Sequence, residues 1–268
     1  PYLQDEWKIR KNLRLTTGLR YDRYQLHGGK KEDLWSPRMG VNWQPWPITS
    51  FRASVGSGFR AATIIERFLE LTIMNFKIKA NPELKAETSW AYDLGWRQYI
   101  NENWNFDLAV FRNVYENLIE AHLDLIRGQI QFRNIADAYV QGIEVTTNWN
   151  YPAQLFGMQV TPGITISGTF MDHEDMKYHE PLTYRPKTLL TGKASLKVNH
   201  FQIQADYRYA SKIDEVKIYP INDRVPMNFF DLRAFYDLRF LTLQLGVNNM
   251  LQYNYAPMES NLMAPRTF

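Results

Sequence analysis

The sequence predicts an all-β protein: an antiparallel transmembrane β-barrel wall of about 12 strands followed by the start of one more. Three observations predict it. Apolar and polar residues alternate with a period of two along most of the chain, as in strands that expose two different faces. Short connections alternate with long polar ones. Aromatic residues are abundant, with 8 Trp, 16 Tyr and 15 Phe in 268 residues, and many fall near the ends of the alternating segments.

The alternation is clearest in four places. Leu13, Leu15, Thr17, Leu19 and Tyr21 oppose Arg14, Thr16, Gly18, Arg20 and Asp22. Trp90, Tyr92, Leu94 and Trp96 oppose Ala91, Asp93, Gly95 and Arg97. Phe201, Ile203, Ala205, Tyr207 and Tyr209 oppose Gln202, Gln204, Asp206 and Arg208, and Leu241, Leu243, Leu245 and Val247 oppose Thr242, Gln244, Gly246 and Asn248. Extending this reading gives strands near 2–9, 13–24, 35–44, 49–58, 87–99, 103–117, 129–149, 158–171, 184–198, 200–210, 227–238 and 241–250, with a further one beginning near Arg266.

Tight connections fall at Arg10-Lys11-Asn12, Gln44-Pro45-Trp46-Pro47, Ile100-Asn101-Glu102, Val198-Asn199-His200 and Leu238-Arg239-Phe240. Longer ones cover 25–34, 60–86, 118–128, 172–183, 211–226 and 251–265. This asymmetry matches the periplasmic and extracellular rims of an outer-membrane barrel. Trp35, Trp46, Tyr99, Trp104, Trp149, Tyr151, Tyr207, Tyr209, Tyr236 and Tyr253 then read as interfacial girdles. A sandwich would have to cover every apolar face with a second sheet. A propeller would show a repeat of roughly 40 to 50 residues, which the sequence lacks.

Composition narrows the function classes. The formal net charge is +3 with the charges spread along the chain, so nucleic acid is not an expected partner. The absence of cysteine excludes disulfides, a thiol nucleophile and thiolate metal sites. No apolar run reaches the roughly 18 residues of a spanning helix, so any membrane crossing is by strands. The first residues lack the basic start, apolar stretch and cleavage site of a signal peptide, and the numbering is expected to begin in mature protein or inside a longer one.

Several words along the chain resemble those of the TonB-dependent receptor barrel, in that family's order. Ser36-Pro37-Arg38 with Gly40, then Gly56-Ser57-Gly58-Phe59-Arg60-Ala61, resemble its "SPR.G" and "G.GFRAP" patterns, with Ala62 where proline is common. Asn81-Pro82-Glu83-Leu84-Lys85-Ala86-Glu87 resembles "NP.LKPE", again with alanine for proline. Gly142-Ile143-Glu144, Arg185-Pro186 and Val247-Asn248-Asn249-Met250 resemble "GvE", "RP" and "V.NLFD". Ala264-Pro265-Arg266-Thr267-Phe268 resembles the start of the final strand without its usual glycine.

The resemblance implies a barrel of about 22 strands enclosing an N-terminal plug, of which residues 1–268 would be the C-terminal portion, with no plug present. It implies residence in the cell outer membrane, contact with its lipid, and completion by missing N-terminal barrel and plug sequence. The expected function is active import of a scarce nutrient such as a metal chelate, energised by a TonB-type periplasmic protein. A passive porin is the alternative, with an outer-membrane enzyme or adhesin third. Upstream sequence discriminates: a plug with an energy-coupling box marks import, whereas further alternating strands alone mark a pore.

Candidate ligand contacts are Arg60, Glu66, Arg67, Lys77 and Lys79, in or beside the long 60–86 connection. Long structured loops often carry function, although the loop's Ile64, Ile65, Phe68, Leu69 and Leu71 equally suit packing over its own rim. In Asp172-His173-Glu174-Asp175-Met176-Lys177-Tyr178-His179-Glu180, His173 and His179 stand among carboxylates that a divalent ion could use, yet without an established ligand spacing, so a solvated acidic loop remains the other reading. His27, His122 and His200 are scattered, and no nucleophile and base pair is assembled in sequence. Gly56-Ser57-Gly58-Phe59-Arg60 lacks the lysine of a phosphate loop. No catalytic residue and no cofactor is expected.

Overall fold

The computed structural model describes residues 1–25, 31–73, 76–124, 126–134, 137–214, 224–256 and 262–268. His27 and parts of the predicted connections at 25–34, 211–226 and 251–265 lie outside the described residues. In chain order the elements are β1 (Tyr2–Arg10), β2 (Leu13–Gln25), β3 (Lys31–Trp46), β4 (Thr49–Arg60), a one-turn helix α1 (Ile64–Phe68), β5 (Leu71–Ile73) and β6 (Phe76–Lys79). Next come β7 (Glu87–Asn101), β8 (Trp104–Glu116), β9 (Ile119–Asp124), β10 (Gln129–Asn134), β11 (Ala138–Asn150) and β12 (Ala153–Leu155). The last are β13 (Met158–Asp175), β14 (Thr188–Val198), β15 (Phe201–Ala210), β16 (Met227–Leu238) and β17 (Leu241–Val247).

Twelve of these strands form one antiparallel wall in the order β1-β2-β3-β4-β7-β8-β11-β13-β14-β15-β16-β17, with β12 paired to β13 at the side. Among the described residues the wall is open: β1 and β17 each have one partner. It is the partial barrel that the alternation predicts.

Register fixes the two faces. Trp43, Phe51, Trp96, Leu108 and Val145 stand opposite one another across five strands, and so do Val41, Ala53, Leu94, Val110, Ile143 and Phe170 in the next row. Paired residues in a ladder point to the same side, so these rows make a continuous apolar face. Its side chains stand out into the surroundings: Leu94 is 59% exposed and Phe170 49%. In water such a surface would be unstable, whereas hydrocarbon satisfies it. The opposite face carries most of the wall's ion pairs, including Arg52 with Asp107 at 2.6 Å and Arg233 with Asp206 at 2.8 Å.

The short turns gather at one end of the wall. Between β12 and β13, Phe156 (φ 50) and Gly157 (φ 75) occupy the two central turn positions, the pair of positive φ values that matches strand twist in a two-residue hairpin. Register shifts at Lys8/Arg10, Trp43/Trp46 and Tyr99/Asn101 sit at this same end. Pro45, which has no N–H for the ladder, falls inside the second of them.

The long connections fold together at the other end, and most of the buried apolar residues lie there. Ala62, Leu84 and Ile119 form one cluster with Phe132 packed against it; Leu118, Ala138 and Leu182 form a second with Tyr115 and Val140. A small second sheet in the order β5-β6-β10-β9 grows from these connections.

Five sequence expectations change in detail. The strand expected at 129–149 divides: β10 leaves the wall to pair with β6 and β9, and β11 begins at Ala138. The connection at 118–128 contains β9. The strand expected to end at residue 171 runs on to Asp175, so His173 lies in a strand whose partner β11 continues as far as Ala138. Tyr253 is packed edge-on to Phe229 at 6.4 Å with its hydroxyl donating to Pro226 O at 2.7 Å, so it supports the fold there and stands in no lipid-facing girdle. The strand expected from Arg266 appears as one bridge between Asn248 and Thr267, with backbone bonds of 2.9 and 3.2 Å.

Candidate functional site

The loop end of the wall is built from its own sequence outward. Thr63 caps α1 by accepting from Glu66 N, and Glu66 returns a carboxylate to Thr63 N at 2.7 Å, a capping box. Burial pushes the Glu66 carboxyl up, but the Thr63 backbone bond and the Arg60 guanidinium outweigh it and hold the group below its ordinary value. Arg60 also grips Glu87 through two bonds of 2.8 and 2.7 Å. Glu87 in turn accepts from Ile119 N at 2.8 Å, which joins the 60–86 and 118–128 connections. Arg67 is buried and reaches Glu32 at 3.2 Å, tying α1 to β3.

Asn134 completes the anchorage: its amide accepts from Lys85 N at 2.9 Å and donates to Lys85 O and Asn117 O at 3.1 and 2.7 Å. A loop end held this way is a surface of fixed shape, because its backbone polar groups are satisfied by its own side chains.

The second sheet has two unlike faces. Ile78, Ile130 and Leu123 are in register on one, in line with Ile119 and Phe132, which pack on Ala62 and Leu84. Lys79, Gln131 and His122 are in register on the other, with Arg133 opposite Glu120 one step along. This polar face borders a cleft of about 450 Å³ closed on its far side by Lys177, Tyr178, Glu180, Leu182 and Thr183. Thr183 Oγ1 approaches Glu120 Oε2 at 3.5 Å across it. Cationic and neutral nitrogen donors from His122, Arg133 and Lys177 face carboxylates from Glu120 and Glu180. The cleft can therefore bind a polar ligand that presents both acceptors and donors.

The predicted residues separate into three groups. Arg60, Glu66 and Arg67 are engaged in the ion pairs of the anchor. Lys77 and Lys79 are exposed on β6, on the polar face of the second sheet. His173 is buried beneath the cleft, where Nδ1 accepts from Leu182 N at 3.1 Å and Nε2 lies 3.2 Å from Arg185 O. With both ring nitrogens occupied, His173 is fixed as a structural group. His179 is exposed and bonds Glu174. No group of three or more histidine or acidic side chains capable of holding a metal occurs among the described residues. Glu120, His122, Arg133 and Lys177, which line the cleft, carried no binding expectation from sequence. The signal that could have found them is the period of two in Ile119–Asp124 and in Gln129–Asn134, which marks two short strands with one polar face.

The polar face of the wall leads away from this loop end. Asp107 receives Arg52 through two bonds of 2.8 and 2.6 Å and Arg97 at 2.8 Å. Arg52 reaches Asp107 by crossing Gly95, where a Cβ would come within 2.4 Å of Arg52 Cζ. Asp231 receives Arg208 at 2.8 Å and accepts from Asn249 N at 2.8 Å.

A wall with an apolar outer face, a polar inner one, short turns at one rim and interlocked loops at the other defines an outer-membrane β-barrel of the receptor type. The chain belongs to the TonB dependent receptor-like, beta-barrel family, whose model matches residues 1–250. It is 26% identical over 233 residues to the ferric enterobactin receptor PirA of Pseudomonas aeruginosa, an alignment covering 80% of this chain and 27% of that protein. In solved structures it resembles the copper transporter OprC, with a TM-score of 0.78 and 16% identity over 99% of this chain and 46% of the other. It also resembles a variant of the ferric enterobactin receptor PfeA of Pseudomonas aeruginosa, with a TM-score of 0.73 and 20% identity over 99% and 43%. The chain thus spans less than half the length of these relatives. Its place is the outer membrane, and its relatives are transport receptors and not enzymes.

Proposed function

We propose that this chain is the C-terminal portion of an active outer-membrane importer that captures a small metal chelate, a ferric chelate first among them, at its loop end. Transport is energised by a TonB-type periplasmic protein acting on a plug, and plug and remaining strands belong to sequence beyond this portion. The observation that carries the reading is the loop end itself: in a chain of this family, two long connections interlock through Glu87 and Asn134 and present a polar cleft. A ferric enterobactin receptor among the relatives points to the ferric chelate. The contacts we assign are His122, Arg133 and Lys177 in the cleft, with Lys77 and Lys79 beside it. Arg60, Glu66 and Arg67 support the loop from below, and His179 stands at its margin.

The test uses the complete receptor in cells supplied with a radiolabelled ferric chelate. Binding is expected to persist, and uptake to stop, when the proton gradient is collapsed or the TonB-type partner deleted. Arg133→Ala combined with Lys79→Ala is expected to weaken binding about tenfold, since both side chains are exposed and each charged contact, screened by solvent, contributes roughly 0.7 kcal/mol. Uptake that continues at full rate without the gradient would establish a passive pore instead.

A further inference from the structure

The far side of the cleft belongs to the connection between β13 and β14, and it is fastened to β13 at two separate places. As far as Glu180 the fastening is Asp175. Its N–H donates to Glu180 O at 2.9 Å, its carbonyl accepts from His179 N at 2.9 Å, and its carboxylate accepts from Lys177 N at 2.8 Å. Beyond Glu180 the fastening is His173, whose Nδ1 accepts from Leu182 N at 3.1 Å and whose Nε2 lies 3.2 Å from Arg185 O.

These two bonds together specify one form of the ring. Leu182 N–H can only donate, so Nδ1 must keep its lone pair; Arg185 O can only accept, so Nε2 must carry the hydrogen. The ring is therefore neutral. A second proton has only Nδ1 to occupy, and there it would point at the Leu182 N–H. Two donors would then face each other, and Leu182, which is 2% exposed, would lose its acceptor where water does not reach to replace it.

The segment so released does not hold its own shape. His179 and Tyr184, on either side of Leu182, both have φ 57, a left-handed conformation that side chains disfavour and that persists where the surroundings impose it. Leu182 is otherwise retained by its packing on Leu118 and Ala138. Pro181, Leu182 and Thr183 line the cleft directly, so their movement changes its width.

His173 stands at the loop end, past the Phe170–Thr188 pair where β13 and β14 part. Burial acts most strongly on the ring and holds it below the ordinary imidazole value of 6.5, with the Arg185 and Lys187 cations acting in the same sense and the Arg185 O bond and Asp172 opposing them. Asp214, paired with Lys187 at 2.8 Å, and Asp175, two residues along the same face of β13, complete the charged set. β11 presents the uncharged Val140 opposite the ring. Release of the ring restores its ordinary value, so the closed wall has its full advantage above about pH 6.5 and loses it as the pH falls below.

We propose that His173 is the positioning residue of the cleft: its neutral ring holds the stretch from Pro181 to Arg185 closed toward the second sheet, and its protonation lets that wall go. The cleft is thus set for binding at neutral pH and loosened in acid. This rests on the importer reading only in taking the cleft as the ligand's site.

The test is hydrogen exchange of the complete receptor in lipid vesicles without ligand, read as protection relative to an unstructured chain so that the intrinsic pH dependence of exchange cancels. From about pH 7.5 to about pH 5.5, protection of the 181–185 amides is expected to fall several-fold, about tenfold being the ceiling for a single proton. His173→Asn leaves an oxygen to accept from Leu182 N and cannot titrate, so protection is expected to stay high and flat; His173→Leu is expected to lose it at both pH values. His179→Gln, which removes the other histidine of the connection, is expected to keep the wild-type response. A flat wild-type profile, an undiminished response in His173→Asn, or its loss in His179→Gln would each overturn the proposal, and the wild-type and His179→Gln profiles decide the matter where a His173 variant fails to insert. Binding of a radiolabelled ferric tricatecholate, used as the probe, is expected to weaken over the same pH step in the wild type more than in His173→Asn, a comparison that cancels protonation of the chelate itself. A wall that responds while probe binding is absent or unchanged would uphold the role of His173 and overturn the cleft as the chelate site.

Discussion

Gly95 offers a test of how the polar face is organised. Its hydrogen leaves a channel through which Arg52 passes from β4 over β7 to Asp107 on β8, and an added Cβ would lie 2.4 Å from Arg52 Cζ, 2.5 Å from Nε and 2.8 Å from Cγ. Gly95→Ala must therefore move the whole guanidinium and break both bonds to Asp107, while Arg97 remains on that carboxylate at 2.8 Å. Hydrogen bonds to charged groups contribute roughly 1.5–3 kcal/mol when desolvated, but Arg52 is 40% exposed, and solvent screening reduces such pairs toward 1 kcal/mol or less. The expected cost is about 1–2 kcal/mol. Urea unfolding of the complete receptor in lipid vesicles measures it, followed by tryptophan fluorescence. The decisive comparison is the cycle with Arg52→Ala. Once Arg52 has lost its side chain there is nothing for the new Cβ to displace, so Gly95→Ala is expected to cost almost nothing in that background. An equal cost in both backgrounds would refute the crossing-arginine explanation.

Three further outcomes are expected. In the complete receptor, Leu243→Arg or Leu245→Arg is expected to destabilise the barrel by about 2–4 kcal/mol near the bilayer middle, and Gln244→Arg by much less, because register places Leu243 with Tyr236 and Gln244 with Phe235 and Gln202 on the other face. Labels on single cysteines at these positions check the faces through acyl-chain quenchers, and quenching at the Gln244 site alone would reverse them. Glu87→Ala removes the acceptor shared by Arg60 and Ile119 N. It is expected to raise amide exchange in both the 60–86 and 118–128 connections while leaving barrel insertion intact, and exchange confined to one connection would deny the coupling. Because the Glu66 carboxyl is held below its ordinary value of 4.5, its stabilising effect is complete above that pH and is lost as pH falls through the lower folded-state value. Limited proteolysis at α1 is expected to accelerate on acidification below pH 4.5, and Glu66→Gln is expected to flatten that dependence.

The sequence by itself determined the wall. Twelve strands, their two faces and the alternation of short and long connections follow from a period of two, since each residue's side is set by the backbone pleat and needs no distant partner. It also determined that Gln244 and the flanking leucines face opposite ways. What it could not determine is where strands stop serving the wall. Ile119–Asp124 and Gln129–Asn134 alternate as well as any wall strand, and only pairing with each other and with β6 makes them a second sheet. His173 looked like a ligand beside His179 because they are six positions apart in a run of acids. The tertiary structure buries the first under Leu182 and leaves the second exposed. The cleft of His122, Arg133 and Lys177 joins residues from three separate segments. Such sites depend on cross-strand register and loop closure, which are non-local and leave no spacing within any one segment.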